Sequence, residues 1–170
     1  MDTKGKKAVI DSVTLGSLET EALLSIVAEK ITPTKISGKT REEWWAYFKI
    51  GLPFDINPSI VIIKLAEISK KRFIAYQQRT AARARRKAVD GVITQKRAEA
   101  KQHLKAEKVM KMKSLAEAAI SDISPLQDAA KEEEYFWVDI VNYLNEQQDV
   151  LKQINFAHNN DVKAGQPGLS

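Results

Sequence analysis

Lysine and arginine side chains are concentrated in one part of the sequence, between residues 64 and 113. This stretch holds sixteen Lys and Arg and only four Asp and Glu, a net charge of +12, whereas the whole 170-residue chain carries +5. Such a concentration of cations is typical of proteins that contact a polyanion, above all nucleic acid. The chemistry that these residues offer is therefore phosphate binding rather than catalysis.

The basic residues recur at intervals that place them on one face of a helix. Arg79, Arg83 and Arg86 are separated by four and three residues, and Arg97 lies about five turns beyond Arg79. If the helix continues through Gly91, both groups form one stripe that phosphates can follow. If Gly91 turns the chain, the two groups flank a groove instead. The second group consists of Arg97, Lys101, Lys105 and Lys108.

The composition of the chain favours helices as the elements that position these cations. Glycine (7) and proline (5) are few, 44% of the residues are hydrophobic, and the basic stretch contains no proline. We predict an all-α fold, either a long antiparallel helical hairpin or a small helix bundle, with a coiled-coil-like seam and assembly into a homo-oligomer. The predicted segments are a flexible N-terminal arm (1–16), a small helical region (17–55) with a loop at 32–40, a long-helix core (57–158) and a disordered tail (159–170).

Apolar residues at spacings of three and four define the faces on which the long helices pack. In the C-terminal helix they form a heptad-like seam that is predicted to lie in the core or at an oligomer interface. The seam residues are Trp137, Ile140, Leu144, Leu151 and Ile154. In the preceding long helix, the predicted apolar side consists of Ile60, Val61, Ile62, Ile63, Leu65, Ile68, Phe73, Ile74 and Tyr76.

Four aromatic residues fall within five positions in a short predicted helix. They are Trp44, Trp45, Tyr47 and Phe48, after a capping-box pattern that begins at Thr40. One interpretation is a hydrophobic plug at the end of a helix bundle. The alternatives are a platform on which nucleic-acid bases stack and a protein interface, where Tyr and Trp are also common.

Motifs of catalysis are missing from the sequence. It has no cysteine, no phosphate-binding glycine loop, no serine nucleophile elbow and no HExxH motif. Because Glu132, Glu133 and Glu134 are consecutive, they point in different directions on a helix, and a solvated helix start explains them better than a Mg²⁺ site. We expect neither an enzyme nor a cofactor or metal. The sequence also lacks a run of about 18 apolar residues and a signal-peptide pattern, so we expect no membrane association and a cytoplasmic location.

Three stretches follow one another in an order that resembles a known family. RARRKAVDG at 83–91 is a Lys/Arg-rich helix that reaches a glycine, KVMKMKSLAEAAISD at 108–122 is a further lysine-rich helix, and LKQINFAHNN at 151–160 ends the helix that carries the seam. This order resembles the UvsY recombination mediators of T-even-like phages, over roughly residues 57–165.

The resemblance implies a small, oligomeric helical protein that binds single-stranded DNA. Such proteins act in recombination and repair, in the host cytoplasm, by loading a RecA-like recombinase onto strands coated by single-strand binding protein. The DNA contacts that the resemblance implies are Lys70, Lys71, Arg72, Arg79, Arg83, Arg85, Arg86 and Lys87.

The sequence shows no side-chain arrangement that would read base edges, so we expect binding without sequence preference, to DNA or another nucleic acid, and with strong salt dependence. The competing interpretation is a coiled-coil structural or scaffolding protein. In that case the basic helix would be neutralised by the acidic helix at 128–149.

Overall fold

The computed structural model describes residues 20–32, 35–53, 56–103 and 109–164, so the predicted N-terminal arm at 1–16 lies outside the described residues. Nearly all of the described part is helical, which confirms the predicted all-α fold. In chain order the elements are α1 (20–30), β1 (Lys35–Ile36), β2 (Lys39–Thr40), α2 (Arg41–Phe48), α3 (Pro58–His103), α4 (Val109–Ala118) and α5 (Ser124–Ala164).

A small antiparallel hairpin stands where the sequence predicts only a loop. Strands β1 and β2 pair Lys35 with Thr40 and Ile36 with Lys39. Ser37 and Gly38 form the turn between them with φ angles of 49° and 81°. Positive φ at both central residues is the requirement of the tight hairpin turn whose twist matches the two strands. Because serine seldom adopts this conformation, Ser-Gly is a weaker hairpin signal than Asn-Gly, and the sequence pattern predicts a loop instead.

Helix α3 is one continuous helix that runs through Gly91. It begins as predicted, with the Asn57 side-chain oxygen accepting a hydrogen bond from the backbone N–H of Ile60 at 3.0 Å. Next to Gly91, where the sequence allowed either a turn or a continuous helix, Asp90 accepts hydrogen bonds from the Thr94 hydroxyl (2.8 Å, to its backbone carbonyl) and from the side-chain amide of Gln127 (2.6 Å, to its carboxylate). The contacts of Asp90 therefore support a helix at this point, and the chain does not turn there.

Replacing Gly91 by alanine should stabilise the protein, because Gly91 lies inside a helix and a Cβ atom built there meets nothing within 4 Å. Alanine in a helix interior is favoured over glycine by about 1 kcal/mol. The expected result is an increase of that size in the free energy of unfolding, measured by urea denaturation followed by circular dichroism. A decrease instead would mean that the glycine serves as a hinge in solution.

The chain folds into two compact units, and each contains parts of both long helices. The first unit comprises Met1–Thr40 and Ala82–Glu134, and the second comprises Arg41–Ala81 and Tyr135–Ser170. These units differ from the consecutive segments that the sequence predicts. In the first unit, α1, α3 and α5 and the turn before α5 share one apolar core. Its buried members are Val27, Ile31, Val89, Val92, Ile93, Ile120, Ile123 and Ala130.

The second unit has an aromatic core that is built around Trp137 of α5. The side chains of Trp44 and Phe48 from α2 pack against the Trp137 ring, with centroid distances of 5.1 and 5.9 Å. The predicted seam of α5 is buried as well. Its members Trp137, Ile140, Leu144 and Leu151 are 0% exposed, and Ile154 is half-buried. These side chains are thus buried within a single copy of the chain.

The apolar side predicted for α3 is only partly the side that packs. The fully buried residues along α3 recur every seven positions, and in the middle of the helix they are alanines. Large side chains assigned to the same side face outward instead, among them Phe73, Ile62 and Ile63. Alanine lets two helices approach closely, whereas a phenylalanine ring would hold them apart. The buried series is Val61, Ile68, Ala75, Ala82 and Val89.

Helix α5 extends to Ala164, beyond residue 159, where the sequence predicts a disordered tail. No proline or glycine occurs after Pro125 until Gly165, so nothing in the sequence stops the helix earlier. Just before this extension of α5, the Nε2 atom of His158 lies 2.9 Å from the carbonyl oxygen of Ile56.

Candidate nucleic-acid interface

The basic residues of α3 fall into two classes that the sequence did not separate. Some contact other groups of the same chain, and others have no ion pair with any residue that the structure describes. We call the second class the unpaired cations. Of the twelve predicted nucleic-acid contacts, six belong to it: Lys70, Arg79, Arg83, Lys87, Arg97 and Lys101.

Arg85 is occupied by a buried carboxylate in the first unit. Its Nε atom donates a hydrogen bond to Glu133 at 2.9 Å, and its Nη2 atom contacts the other carboxylate oxygen. The Glu133 side chain is 0% exposed and that of Arg85 is 17% exposed. The prediction of a solvated acidic cluster is therefore wrong for Glu133, and Arg85 is committed to a structural ion pair instead of facing a ligand.

Arg86, also in the first unit, lies between two acids. Its guanidinium is 3.1 Å from the carboxylate of Glu134 and 3.6 Å from that of Asp90. It shares a helix face with Arg83 in the sequence pattern, yet it is half-buried against α5. Arg86 therefore contributes little free charge to the predicted stripe.

Arg72 and Lys71 are held in a similar way within the second unit. Arg72 donates a hydrogen bond to the side-chain oxygen of Gln148, and its guanidinium carbon lies 5.8 Å from the ring centroid of Tyr76. Lys71 pairs with Glu67 at 2.9 Å. The hydrogen bond from Lys71, and a second from Lys64, lower the pKa of the Glu67 carboxyl below its usual value. Four of the predicted contacts thus help to hold the fold.

Four unpaired cations lie on the part of α3 that belongs to the first unit. Arg83, Lys87, Arg97 and Lys101 are all exposed. The spacing from Arg83 to Lys101 corresponds to about 27 Å along a helix. Asp90 occurs between them, but its carboxylate is engaged by Arg86 and Gln127. This row can bind a run of phosphates by charge alone. The two further members that the sequence predicts, Lys105 and Lys108, lie outside the described residues.

In the second unit, two cations flank a pair of aromatic rings along α3. Lys70 and Arg79 flank Phe73 and Tyr76 along α3, and Phe73 is 64% exposed. Both rings belong to the apolar side that the sequence predicts for α3. Spacing alone could not decide this, because apolar residues at intervals of three and four occur on two faces of α3 at once.

Two of the four aromatic residues of α2 are buried in the aromatic core. Trp44 is 9% exposed and Phe48 is fully buried, whereas Trp45 contacts Phe136 and Tyr143 at its ring edges. The hydroxyl of Tyr143 also accepts a hydrogen bond from the backbone N–H of Ile50 at 3.0 Å. This packing favours the interpretation of α2 as a hydrophobic plug over the stacking platform.

Comparison with known proteins adds no relative to these observations. No protein-family model matches the chain, and no match was found among curated proteins or solved structures. Among the described residues, no three His, Asp or Glu side chains come together in a way that could hold a metal ion. None of the helices in that part of the chain has both the length and the apolar character to cross a membrane.

Proposed function

We propose that the chain binds single-stranded DNA through its phosphate backbone, without sequence preference, as an accessory protein of recombination or repair. The observation that carries the proposal is the charge of α3 between Glu67 and Asp90. Residues 68–89 contain eight Lys and Arg and no acid. Arg83 and Lys87 in this stretch are exposed and belong to the unpaired cations. Lys71, Arg85 and Arg86 of this stretch are in ion pairs, but cations on a helix that lack such a partner attract a polyanion and release its counterions on binding.

The phosphate backbone fits this surface better than base edges do. Sequence readers hold amide or guanidinium groups in fixed positions against the bases. Here Arg83 and Lys87 have no ion pair with a described residue that would fix their position. The side-chain amide of Gln95 donates to Glu99 at 2.9 Å and is thereby occupied. Binding should therefore depend on charge and salt much more than on sequence.

Removing two unpaired cations should weaken binding in a salt-dependent way. We expect the double variant Arg83→Gln/Lys87→Gln to lower the slope of log affinity against log salt by about 1.4, because each phosphate contact on a single strand contributes about 0.7. Its deficit relative to the wild type should then shrink about sevenfold between 50 and 200 mM salt. Fluorescence anisotropy with a labelled single-stranded oligonucleotide, competed with duplex, measures both quantities.

A matched control removes the same charge elsewhere in the first unit. Lys30 and Lys35 are exposed and lie outside α3. The variant Lys30→Gln/Lys35→Gln should keep the wild-type salt slope if the α3 row, which consists of Arg83, Lys87, Arg97 and Lys101, makes the contacts with phosphate. Equal losses in the two double variants would show that only net charge matters and would remove the α3 row from the proposal.

Recombinase loading is the finer part of the proposal, and it is supported by the resemblance to the UvsY mediators alone. The expected partners are a RecA-like recombinase and single-strand binding protein. The direct test is whether the chain shortens the lag in recombinase assembly on a strand that is already coated with single-strand binding protein. A chain that binds single strands and leaves this lag unchanged would retain the binding proposal and lose the mediator role.

A structural or scaffolding protein is the second candidate, and two observations favour it. The basic helix is partly neutralised within the chain, through the contacts of Arg85 with Glu133 and of Arg86 with Glu134. Exposed apolar side chains are also present in the second unit, with Phe156 at 67% and Ile62 at 66%. The absence of any binding to single strands at low salt, together with a defined oligomer in sedimentation velocity, would favour this candidate.

A further inference from the structure

Two aromatic rings on α3 face outward in the second unit, three residues apart and on one side of the helix. Phe73 is 64% exposed and Tyr76 is 40% exposed. In the part of the chain that the structure describes, Phe73 has no contact with another ring. Neighbours at a spacing of three on a helix lie about 5–6 Å apart at their Cβ atoms. Two large rings exposed side by side form an apolar patch, and such patches are typical of interaction sites.

The charges beside these rings narrow the choice of ligand. Lys70 lies one turn before Phe73, and Arg79 lies one turn after Tyr76. Because steps of three residues wind around a helix, each ring has one cation beside it, although exposed Lys70 and half-buried Arg79 lie on opposite sides of α3. The whole of 68–89 lacks an acid. A second copy of the chain that docked on these rings would bring the exposed Lys70 against cations of its partner, and like charges in contact oppose association. A ligand that carries both negative charge and flat apolar surfaces fits the face better.

Tyr76 is held in place before any ligand arrives. The guanidinium of Arg72 lies over its ring at 5.8 Å, and Arg72 is itself fixed by its hydrogen bond to Gln148. The hydrogen bond from Arg72 lowers the pKa of the Tyr76 phenol, while burial acts in the opposite direction. A ring whose position is already fixed loses little conformational entropy when a flat ligand stacks on it.

We infer that Phe73 and Tyr76 stack the unpaired bases of a single strand whose phosphates contact Lys70 and Arg79. This inference rests on the proposed function and adds the feature that selects single strands over duplex. Bases in a duplex are already stacked and paired, so only an unpaired strand can offer a free face to the ring. Stacking tolerates any base, because every base has a flat face. The site therefore agrees with binding that has no sequence preference.

The test compares two oligomers of equal length and charge, one of thymidylate and one of abasic deoxyribose phosphate. The variant Phe73→Ala should bind the thymidylate oligomer about 5- to 150-fold more weakly than the wild type, the range expected for the loss of one stacked base. Its affinity for the abasic oligomer and its salt slope should not change. Phe73→Leu, which keeps apolar bulk but no aromatic face, should show most of the same loss.

Two further measurements make the outcome decisive. The control variant Ile62→Ala removes an exposed apolar side chain from the same helix and should leave both affinities unchanged. A change of mass in sedimentation velocity for Phe73→Ala, without a change in thymidylate affinity, would identify the face as a protein interface and overturn the inference. If Arg83→Gln/Lys87→Gln weakens both oligomers while Phe73→Ala weakens neither, only the stacking inference fails. If no variant affects either oligomer, the proposed function fails as well.

Discussion

Replacing Arg85 by alanine should lower the free energy of unfolding by about 3–5 kcal/mol, one of the two largest effects that we expect from a single substitution. The reason is the fully buried carboxylate of Glu133, which the Arg85 guanidinium contacts with two of its nitrogens. Without Arg85, that carboxylate is left as an uncompensated buried charge. Urea denaturation followed by circular dichroism measures the loss.

A double variant separates the value of the ion pair from the cost of breaking it. Arg85→Met/Glu133→Leu replaces both charges by apolar groups of similar volume, and such replacements are often neutral or stabilising. We expect it to regain most of the stability that Arg85→Ala loses. Arg86→Ala is the matched control, because its partners Glu134 and Asp90 are 14% and 38% exposed whereas Glu133 is 0% exposed, and its effect should be clearly smaller. Equal losses in Arg85→Ala and Arg86→Ala would contradict the burial of Glu133.

Replacing Trp137 by alanine is expected to destabilise the second unit by about 3–5 kcal/mol. The ring is 0% exposed, and its centroid lies 5.1 Å from those of both Trp44 and Phe136. Removing it leaves a cavity that rigid aromatic neighbours cannot close. Near-ultraviolet circular dichroism should lose the signal of the packed rings, and urea denaturation should give the change in stability.

Trp45→Ala is the control for this prediction, since Trp45 is 37% exposed and should cost much less. A second outcome would contradict the assignment of Trp137 to the core of a single chain. If Trp137→Ala unfolds at the wild-type urea concentration but sediments at a lower mass, the seam holds copies of the chain together, and the intramolecular packing is not its main role.

The fold could be predicted where a single helix carries its own signal. The seam of α5 is spaced correctly in the sequence, and the start of α3 at Asn57 and Pro58 follows from cap chemistry. The buried side of α3 could not be predicted in the same way. Ala75 and Ala82 are buried because they let a neighbouring helix come close, whereas the larger Phe73 is not. A prediction from hydrophobicity alone would bury Phe73 in preference to the two alanines.

The candidate site could be predicted as a concentration of charge but not residue by residue. Whether a cation is unpaired depends on which residue of the partner helix lies opposite to it. In the first unit, Arg85 meets Glu133, whereas Arg83 two residues earlier meets no acid in the described part of the chain. Which residues lie opposite each other is set by the packing of the two helices. It cannot be derived from the spacing of residues within one helix.

The composition of the two units has a consequence for how the protein is made. Each unit joins stretches that are distant in sequence, and the second one needs Arg41–Ala81 together with Tyr135–Ser170. Chains emerge from the ribosome from the N-terminus onward. Trp44 and Phe48 therefore cannot pack against Trp137 until most of the polypeptide has been synthesised. During that interval the nascent chain displays an uncovered aromatic surface, so a ribosome stalled before residue 137 would release a fragment that is a natural substrate for chaperones and proteases.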